Sequence, residues 1–289
     1  MEHAGERVSS LFPSSNNGTS VSRIADIFAG YVHTLLAANE GNESVFVLHR
    51  DISENNLMVR DGKTPFVIDW GCGVVAPKNW SRMTSVNSMV GTAVFMSLRI
   101  LKQLGKRSFL DDLESLFLAF AYNVWKRYGT ETSLYRSLWD SNDGIDNVII
   151  SRCYWLVSEQ NFITEMKLVD CPSKLERLAV DLYKFIFPAG IRIHELVLKD
   201  CDDPRLGMVD TTDLFTIFKA AATSSTDSAA DSEDTTKHVN ALGEYVSKVV
   251  QPNKRKTGDD NQEPSVSAIR RDAGSFSSSG PRSKRQRGH

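Results

Sequence analysis

The sequence predicts an α+β domain that is mainly α-helical and carries one small β-hairpin. Two segments, about 21–38 and about 110–127, have the apolar content and spacing of helices. Between them, LMV at 57–59 and PFVID at 65–69 flank a turn-like Asp-Gly pair, which is typical of a hairpin. Further helical segments follow the second helix, so the helices outweigh the strands.

The composition excludes several classes of protein. The chain has 289 residues and a hydrophobic fraction of 41%, as expected for one or two globular domains. A net charge of −2 provides no basic field, which argues against nucleic acid as a partner. No segment reaches the roughly 18 apolar residues of a membrane span, so no membrane partner is expected. The four cysteines form no CxxC pair, which argues against a zinc site and favours an intracellular, reducing compartment.

The chain divides into three parts by composition. Residues 1–20 are rich in Ser, Asn and Gly and are predicted to be a disordered leader. The folded domain is predicted over 21–221. Residues 222–289 have too little apolar content to offset the entropy lost on ordering, so we expect a disordered tail, in which only 240–250 has the pattern of a short amphipathic helix.

The tail carries two basic clusters, KRK at 254–256 and RSKRQR at 282–287. Such clusters either direct nuclear import or are simply solvated, and the sequence does not decide between these hypotheses. The expected location is therefore the nucleus or the cytoplasm.

Each helix of the folded part has its own justification. The first has apolar residues three and four apart, at Ile24, Ile27, Phe28, Tyr31 and Leu35. The helix at about 110–127 is apolar on nearly every side after an acidic start, which places it at the centre of a core. The remaining helical segments are SLYRSLWD (133–140), VIISRCYWLVSEQNF (148–162), PSKLERLAVDLYKFIF (172–187) and TTDLFTIFKAA (211–221).

A chemical motif lies around the hairpin. Asp51 and Asn56 follow a His-Arg pair with the pattern HRDxxxxN, and Asp69 ends an apolar strand in the pattern DxG. Phosphoryl transfer from ATP needs an acceptor for the substrate's hydroxyl proton and oxygen ligands for Mg²⁺. One Asp on a loop can be the base, while Asn and a second Asp are suitable ligands. The hairpin between them fixes their separation.

Two more segments follow in the order of the protein-kinase signature, VGTAVFMS at 90–97 and DDLESLF at 111–117. With these four ordered matches the chain resembles the protein kinase superfamily, and most of all the fungal-type protein kinase domain family. The resemblance implies a protein kinase-like fold in which 21–221 is the mainly α-helical C-lobe and the N-lobe is missing. It also implies Ser/Thr-directed phosphoryl transfer with ATP and Mg²⁺.

The resemblance assigns roles to individual residues. Asp51 is the implied catalytic base, assisted by Asn56, and Asn56 and Asp69 are the implied Mg²⁺ ligands. Met58 would lie under the adenine, beside the nucleotide-binding Asp69. Arg50 would receive a phosphate from the activation segment, about 70–98, where the candidate phosphosites are Ser81, Thr84, Ser85 and Ser88.

Four further positions have structural roles by the same resemblance. Thr92 would bond the catalytic aspartate. His49 and Trp70 would stack on each other, and Asp112 would anchor the backbone of the catalytic loop from the central helix.

The sequence also departs from the family pattern. No lysine precedes Lys63, and no Gly-rich loop precedes His49. Ser53 stands where protein kinases usually have a lysine near the γ-phosphate. Arg99 stands at the usual glutamate position after GTAVFM, so the usual ion pair with a late arginine such as Arg205 is not expected. These departures predict weak or absent catalysis by the isolated chain.

Three functional hypotheses remain open. The first is a truncated protein kinase, which is an enzyme by family, and the second is a pseudokinase that acts as a binding module. The third is a small-molecule phosphotransferase similar to aminoglycoside and choline kinases, because VIDWG also fits those enzymes. The protein substrate is not predicted, and a partner or a second copy of the chain would cover the exposed ATP-side face.

Overall fold

A computed structural model describes residues 5–12, 20–39, 45–77, 90–103, 107–140, 144–189, 191, 193, 203, 205, 210–223 and 236–250. The chain divides into two compact units, Met1–Gln251 and Pro252–His289, and all described residues belong to the first. Within these ranges, no helix is long and apolar enough to cross a membrane.

The described residues form a mostly helical domain with two small antiparallel sheets, which is consistent with an α+β kinase-like fold. The helices are α1 (Val21–Ala37), α2 (Leu98–Leu101), α3 (Phe109–Tyr128), α4 (Ser133–Trp139), α5 (Ile145–Trp155), α6 (Glu159–Met166), α7 (Ser173–Ile186), α8 (Thr211–Thr223) and α9 (Lys237–Val250). The strands are β1 (Glu6–Arg7), β2 (Val45–Leu48), β3 (Leu57–Arg60), β4 (Thr64–Val67) and β5 (Val74–Pro77). Short 3₁₀ turns lie at Val8–Leu11, Trp70–Cys72 and Ala93–Phe95.

Helix α3 is the centre of the hydrophobic core. Its side chains are buried along nearly its whole length, including Phe117, Phe120 and Trp125. At its start, the Ser108 backbone N–H donates to Asp111 Oδ2 at 2.6 Å, which satisfies one of the amides that a helix leaves unpaired at its first turn. The predicted central helix is confirmed. Helix α7 and strand β2 pack against it, and Phe28 of α1 lies with its ring centroid 4.9 Å from that of Phe120.

The two sheets bring two loops side by side. Strands β3 and β4 form the predicted hairpin, with Leu57 opposite Val67, and β2 pairs with β5, with Leu48 opposite Val74. The loop 49–56 therefore leaves β2 and enters β3, while the loop 68–73 leaves β4 and enters β5. Each loop thus connects a strand of one sheet to a strand of the other. Because β3 pairs with β4 and β2 pairs with β5, the two connections lie next to each other.

Two terminal segments are more ordered than the composition predicted. In the leader 1–20, β1 pairs with β3, and Val8, Leu11 and Phe12 are buried in the core. The sequence missed this because Ser and Asn dominate the segment while its few apolar residues find partners on distant elements.

The folded part also extends past the predicted boundary at 221. Helix α8 continues to Thr223, and α9 packs along α1 and α8. Asp26 of α1, itself buried, accepts the backbone N–H groups of His238 and Val239 at 2.8 and 2.9 Å. A side chain on α1 thus caps the start of α9, a contact that composition cannot reveal.

The segment 148–162 is not one continuous helix. It is divided between α5 and α6, with a break at Leu156–Ser158. Ser158 ends the break because its hydroxyl accepts the backbone N–H of Asn161 at 3.1 Å, which starts a new helix.

Candidate active site

Asp112 anchors the loop 49–56 to α3. Its two carboxylate oxygens accept the backbone N–H groups of His49 at 2.7 Å and of Arg50 at 3.0 Å. The side chain is buried at 4% exposure, and this burial raises its pKa to about 6. The carboxylate is thus joined to the loop through backbone groups, and its position depends on neither loop side chain.

The peptide that precedes Asp51 is held in an uncommon conformation. Arg50 has φ 72°, in the left-handed region, which costs of order 1–3 kcal/mol for a residue other than glycine. Asp112 binds the N–H of Arg50, and Arg107 Nη1 donates to the Arg50 carbonyl at 2.9 Å. Contacts on both sides of the residue therefore stabilise this conformation.

The Asp51 carboxylate is oriented by two neighbours. Its Oδ1 accepts the backbone N–H of Thr92 at 2.8 Å and the Thr92 hydroxyl at 2.9 Å. Its Oδ2 accepts Asn56 Nδ2 at 3.1 Å, and the same amide nitrogen donates to the Asp51 carbonyl at 2.8 Å. The structure thus brings together three residues that the sequence selected, and it fixes both the backbone and the carboxylate of Asp51.

Gly91 allows the segment before Thr92 to reach the loop 49–56. Its φ is 117°, and a Cβ there would lie 2.5 Å from the Arg50 carbonyl oxygen. Only glycine fits both the backbone conformation and the close approach.

Asn56 and Asp69 lie on adjacent segments. The backbone N–H of Ile68 donates to the Asn56 carbonyl at 3.0 Å, and Asp69 follows at once with φ 60° and an exposed side chain. The left-handed turn changes the direction of the chain at the aspartate. Because Asn56 uses its Nδ2 on Asp51, its Oδ1 is the atom available to a cation.

This donor set fits Mg²⁺, which is bound by one or two protein oxygen ligands together with water and substrate phosphates. Among the described residues, no group of three or more His, Cys, Asp and Glu side chains could hold a metal ion. Water and substrate phosphates would supply the remaining ligands of a Mg²⁺ ion at Asn56 and Asp69.

His49 and Trp70 pack against each other beside this site. Their ring centroids are 4.6 Å apart at an interplanar angle of 63°. Burial lowers the pKa of His49, which favours the neutral ring. Its Nε2 then donates to the Ile68 carbonyl at 2.9 Å, and its Nδ1 accepts the Asp51 backbone N–H at 3.3 Å. The ring therefore links the two loops that carry Asp51 and Asp69.

Met58 is buried at 8% exposure in the middle of β3, opposite Phe66 of β4 and Arg7 of β1. Its carbonyl accepts the Tyr31 hydroxyl at 2.9 Å, which attaches the hairpin to α1. The structure thus places Met58 within the sheet, one strand residue beyond the loop that carries Asp51 and Asn56.

A buried ionic cluster holds the end of the segment that carries Thr92. Glu114 accepts the backbone N–H of Leu98 at 2.8 Å and pairs with Arg205 Nη1 at 2.6 Å. Arg205 also binds Asp203 at 2.8 Å, and Arg99 lies 3.8 Å from Asp203. The glutamate partner of Arg205 is therefore supplied by α3, while Arg99 pairs with a different carboxylate.

The sequence did not identify Arg107 or Glu114 as site residues. The partners of Arg107 are backbone carbonyls, which carry no sequence signal, and Arg205 lies far from Glu114 in the chain. The only available signal for Glu114 was its position within DDLESLF.

Several predicted features lie outside the described residues. These are the phosphosites Ser81, Thr84, Ser85 and Ser88 and the basic clusters at 254–256 and 282–287.

Residues 30–124 match the fungal protein kinase family. The matched segment begins within α1, includes both loops and Thr92, and ends within α3. The match confirms the resemblance predicted from the sequence motifs. No curated protein matches the chain.

Proposed function

We propose that the chain carries the phosphoryl-transfer half of a Ser/Thr protein kinase and transfers the γ-phosphate of ATP to a protein hydroxyl. The family match supports the class of reaction. The observation that carries the chemistry is the Asp51 carboxylate, which is held on one oxygen by Thr92 and on the other by Asn56. In this proposal the described domain corresponds to the C-lobe of the kinase fold.

Asp51 is the proposed general base. The hydroxyl proton of the substrate passes to its carboxylate as the hydroxyl oxygen forms its bond to the γ-phosphorus, and ADP leaves. Thr92 and Asn56 keep the carboxylate directed, so little reorganisation precedes proton transfer. Asn56 Oδ1 and the Asp69 carboxylate are the proposed ligands of Mg²⁺, which neutralises charge on the phosphates when it is bound.

We propose that turnover by this chain alone is weak. Ser53 is buried at 1% exposure, and its hydroxyl has no hydrogen-bond partner among the described residues. A buried hydroxyl supplies no positive charge to the γ-phosphate, unlike the lysine that usually stands at this position. The 62 residues before Lys63 supply no lysine either.

The test is transfer of labelled phosphate from Mg-ATP to a generic protein substrate by the wild type and Asp51→Asn. Slow transfer is expected, and loss of the base should reduce it by about 10²–10⁴-fold. Asp61→Asn is the matched control, because Asp61 is exposed in the hairpin turn with φ 53°, where asparagine is well tolerated. An unchanged rate of transfer in Asp51→Asn would contradict the proposed role of Asp51. Fast turnover by the wild type would contradict the proposal that this chain alone is a weak enzyme.

The same assay with choline and an aminoglycoside as acceptors tests the small-molecule alternative. Transfer to either acceptor in preference to the protein would favour that class of phosphotransferase.

A binding module is the second candidate function. Its supporting observation is that Ile68 and Trp70 are each 36% exposed and Val75 is 62% exposed, next to Asp69 on the loop and strand that follow β4. Apolar side chains on such a face favour a partner or a second copy of the chain. Absence of a thermal shift with Mg-ATP, together with concentration-dependent dimerisation, would support this candidate over the enzyme.

We also propose that the basic clusters of the tail direct the protein to the nucleus. A fluorescent fusion that lacks 252–289 should leave the nucleus, and an unchanged distribution would refute this proposal.

A further inference from the structure

We propose that Arg107 is a positioning residue for the catalytic base, a function that rests on the proposed phosphoryl transfer. Arg107 lies just before Ser108, where α3 begins, and is buried at 6% exposure. It belongs to none of the kinase signature segments in the sequence. Its contacts nevertheless reach the two segments that meet at Asp51.

One guanidinium joins these two segments. Arg107 Nη1 donates to the carbonyl of Arg50 at 2.9 Å, and this carbonyl belongs to the peptide bond that leads into Asp51. Arg107 Nη2 donates to the carbonyl of Val90 at 2.8 Å, two residues before Thr92. The planar fork of arginine spans both carbonyls at once, which the single ammonium of lysine does less well.

The contact acts on the peptide plane that orients Asp51. Asp112 binds the N–H of Arg50, and Arg107 binds its carbonyl, so both sides of a residue with φ 72° are held. Gly91 packs against the same carbonyl oxygen. The Arg50 carbonyl is therefore the point where the catalytic loop, the segment before Thr92 and the start of α3 meet.

The placement of this cation is unfavourable for the helix alone. A positive charge at a helix N-terminus opposes the helix dipole, and burial lowers the pKa of Arg107, with the charge of Arg50 acting in the same direction. The carboxylates of Asp111, Asp112 and Asp51 act in the opposite direction and stabilise the guanidinium. The position is thus explained by the two carbonyls and the acidic groups around the base, and not by capping of α3.

Arg152 provides a control with similar chemistry at a different place. It is a fully buried arginine on α5, and its guanidinium donates to the carbonyls of Val94 and Met96. Val94 and Met96 follow Thr92 closely, so Arg152 holds the far side of the same segment, whereas Arg107 also holds the Arg50–Asp51 peptide. A purely structural role for Arg107 predicts that loss of either arginine has the same effect on that peptide, and a positioning role predicts an effect for Arg107 alone.

The experiment compares the full chain with Arg107→Lys, Arg107→Gln and Arg152→Lys. Thermal denaturation measures stability, and phosphate transfer from Mg-ATP gives kcat and KM. Hydrogen exchange is measured at the Asp51 amide, which belongs to the same peptide bond as the Arg50 carbonyl and donates to His49 Nδ1. Arg107→Gln should speed Asp51 exchange and lower kcat, each about tenfold or more, with KM for ATP changed about twofold at most. Arg107→Lys should be intermediate, because it keeps the charge and loses the fork.

Arg152→Lys should lower the melting temperature about as much as Arg107→Lys does and leave Asp51 exchange within about twofold of the wild type. Equal exchange at Asp51 in the Arg107 and Arg152 variants would overturn the proposal. If Arg107→Gln does not fold, the comparison of the two lysine variants decides. If the wild type transfers no phosphate, the proposed function fails, while the exchange measurement still tests the positioning role.

Discussion

Replacing Arg205 with methionine should destabilise the domain far more than the loss of an ordinary surface charge. Arg205 is 1% exposed, and its guanidinium contacts Glu114 at 2.6 Å and Asp203 at 2.8 Å. Both carboxylates are themselves nearly inaccessible to water. Methionine preserves much of the side-chain length but removes the closest cation from both carboxylates, and leaves Arg99 at 3.8 Å from Asp203 and the weaker attraction between Arg152 and Glu114.

The magnitude follows from the burial of the pair. Removing one partner of a buried ion pair costs about 3–5 kcal/mol, since the remaining charge loses its closest counter-charge in a place that solvent does not reach. For a domain of this size, that loss lowers the melting temperature by about 6–20 °C. Burial alone would raise the pKa of Asp203, but the hydrogen bonds and charge of Arg205 hold it below its usual value. The substitution removes this stabilisation of the ionised form.

Urea denaturation at neutral pH measures the change in the free energy of unfolding. Lys184→Met is the matched control, because Lys184 and Glu159 form an ion pair at 3.1 Å with side chains that are 54% and 43% exposed. That control should change stability by about 1 kcal/mol at most. A loss below about 1 kcal/mol for Arg205→Met would refute the importance of the cluster.

Two further predictions concern pH and the C-terminal helix. Burial raises the pKa of Asp112 from 3.8 to about 6, so the folded state binds more protons than the unfolded state between these two pH values. The contribution of Asp112 therefore lowers the free energy of unfolding by about 3 kcal/mol as the pH rises from 3.8 to about 6. Denaturation at pH 4, 5, 6 and 7 should show a less negative slope for Asp112→Asn than for the wild type, and parallel slopes would contradict this. Ending the chain after residue 235 should cost about 5 kcal/mol relative to ending it after residue 251, because α9 buries Val239, Leu242 and Val246; equal melting temperatures would show that α9 is dispensable.

The sequence predicted best those features whose signals are local. The spacing of His49, Asp51 and Asn56 follows from one short loop, and the hairpin follows from alternation and a turn. Helix α3 was recognisable because it is apolar on nearly every side after its acidic start. These signals need no knowledge of distant parts of the chain.

The sequence failed where a partner is distant or is a backbone group. Arg107 binds carbonyls that any residue type would provide, and Glu114 pairs with an arginine 91 positions away. Helix α9 was recognised as amphipathic, but its packing depends on Asp26, 213 positions from Val239. Composition averages over such a segment, and it therefore underestimates the few apolar residues that find a surface on α1.

The start of α3 organises most of the site by itself. Arg107 and Asp112 hold the backbone around Arg50, Asp111 accepts the Ser97 hydroxyl at 2.6 Å, and Glu114 accepts the Leu98 N–H. Groups held by one rigid helix move together, so substitutions among them should be coupled rather than additive. Among the described residues, the hydrogen bonds that orient Asp51 come from residues 49–112. In the proposed function the base is therefore oriented without a lysine, and a cation supplied by another polypeptide would meet a base that is already oriented.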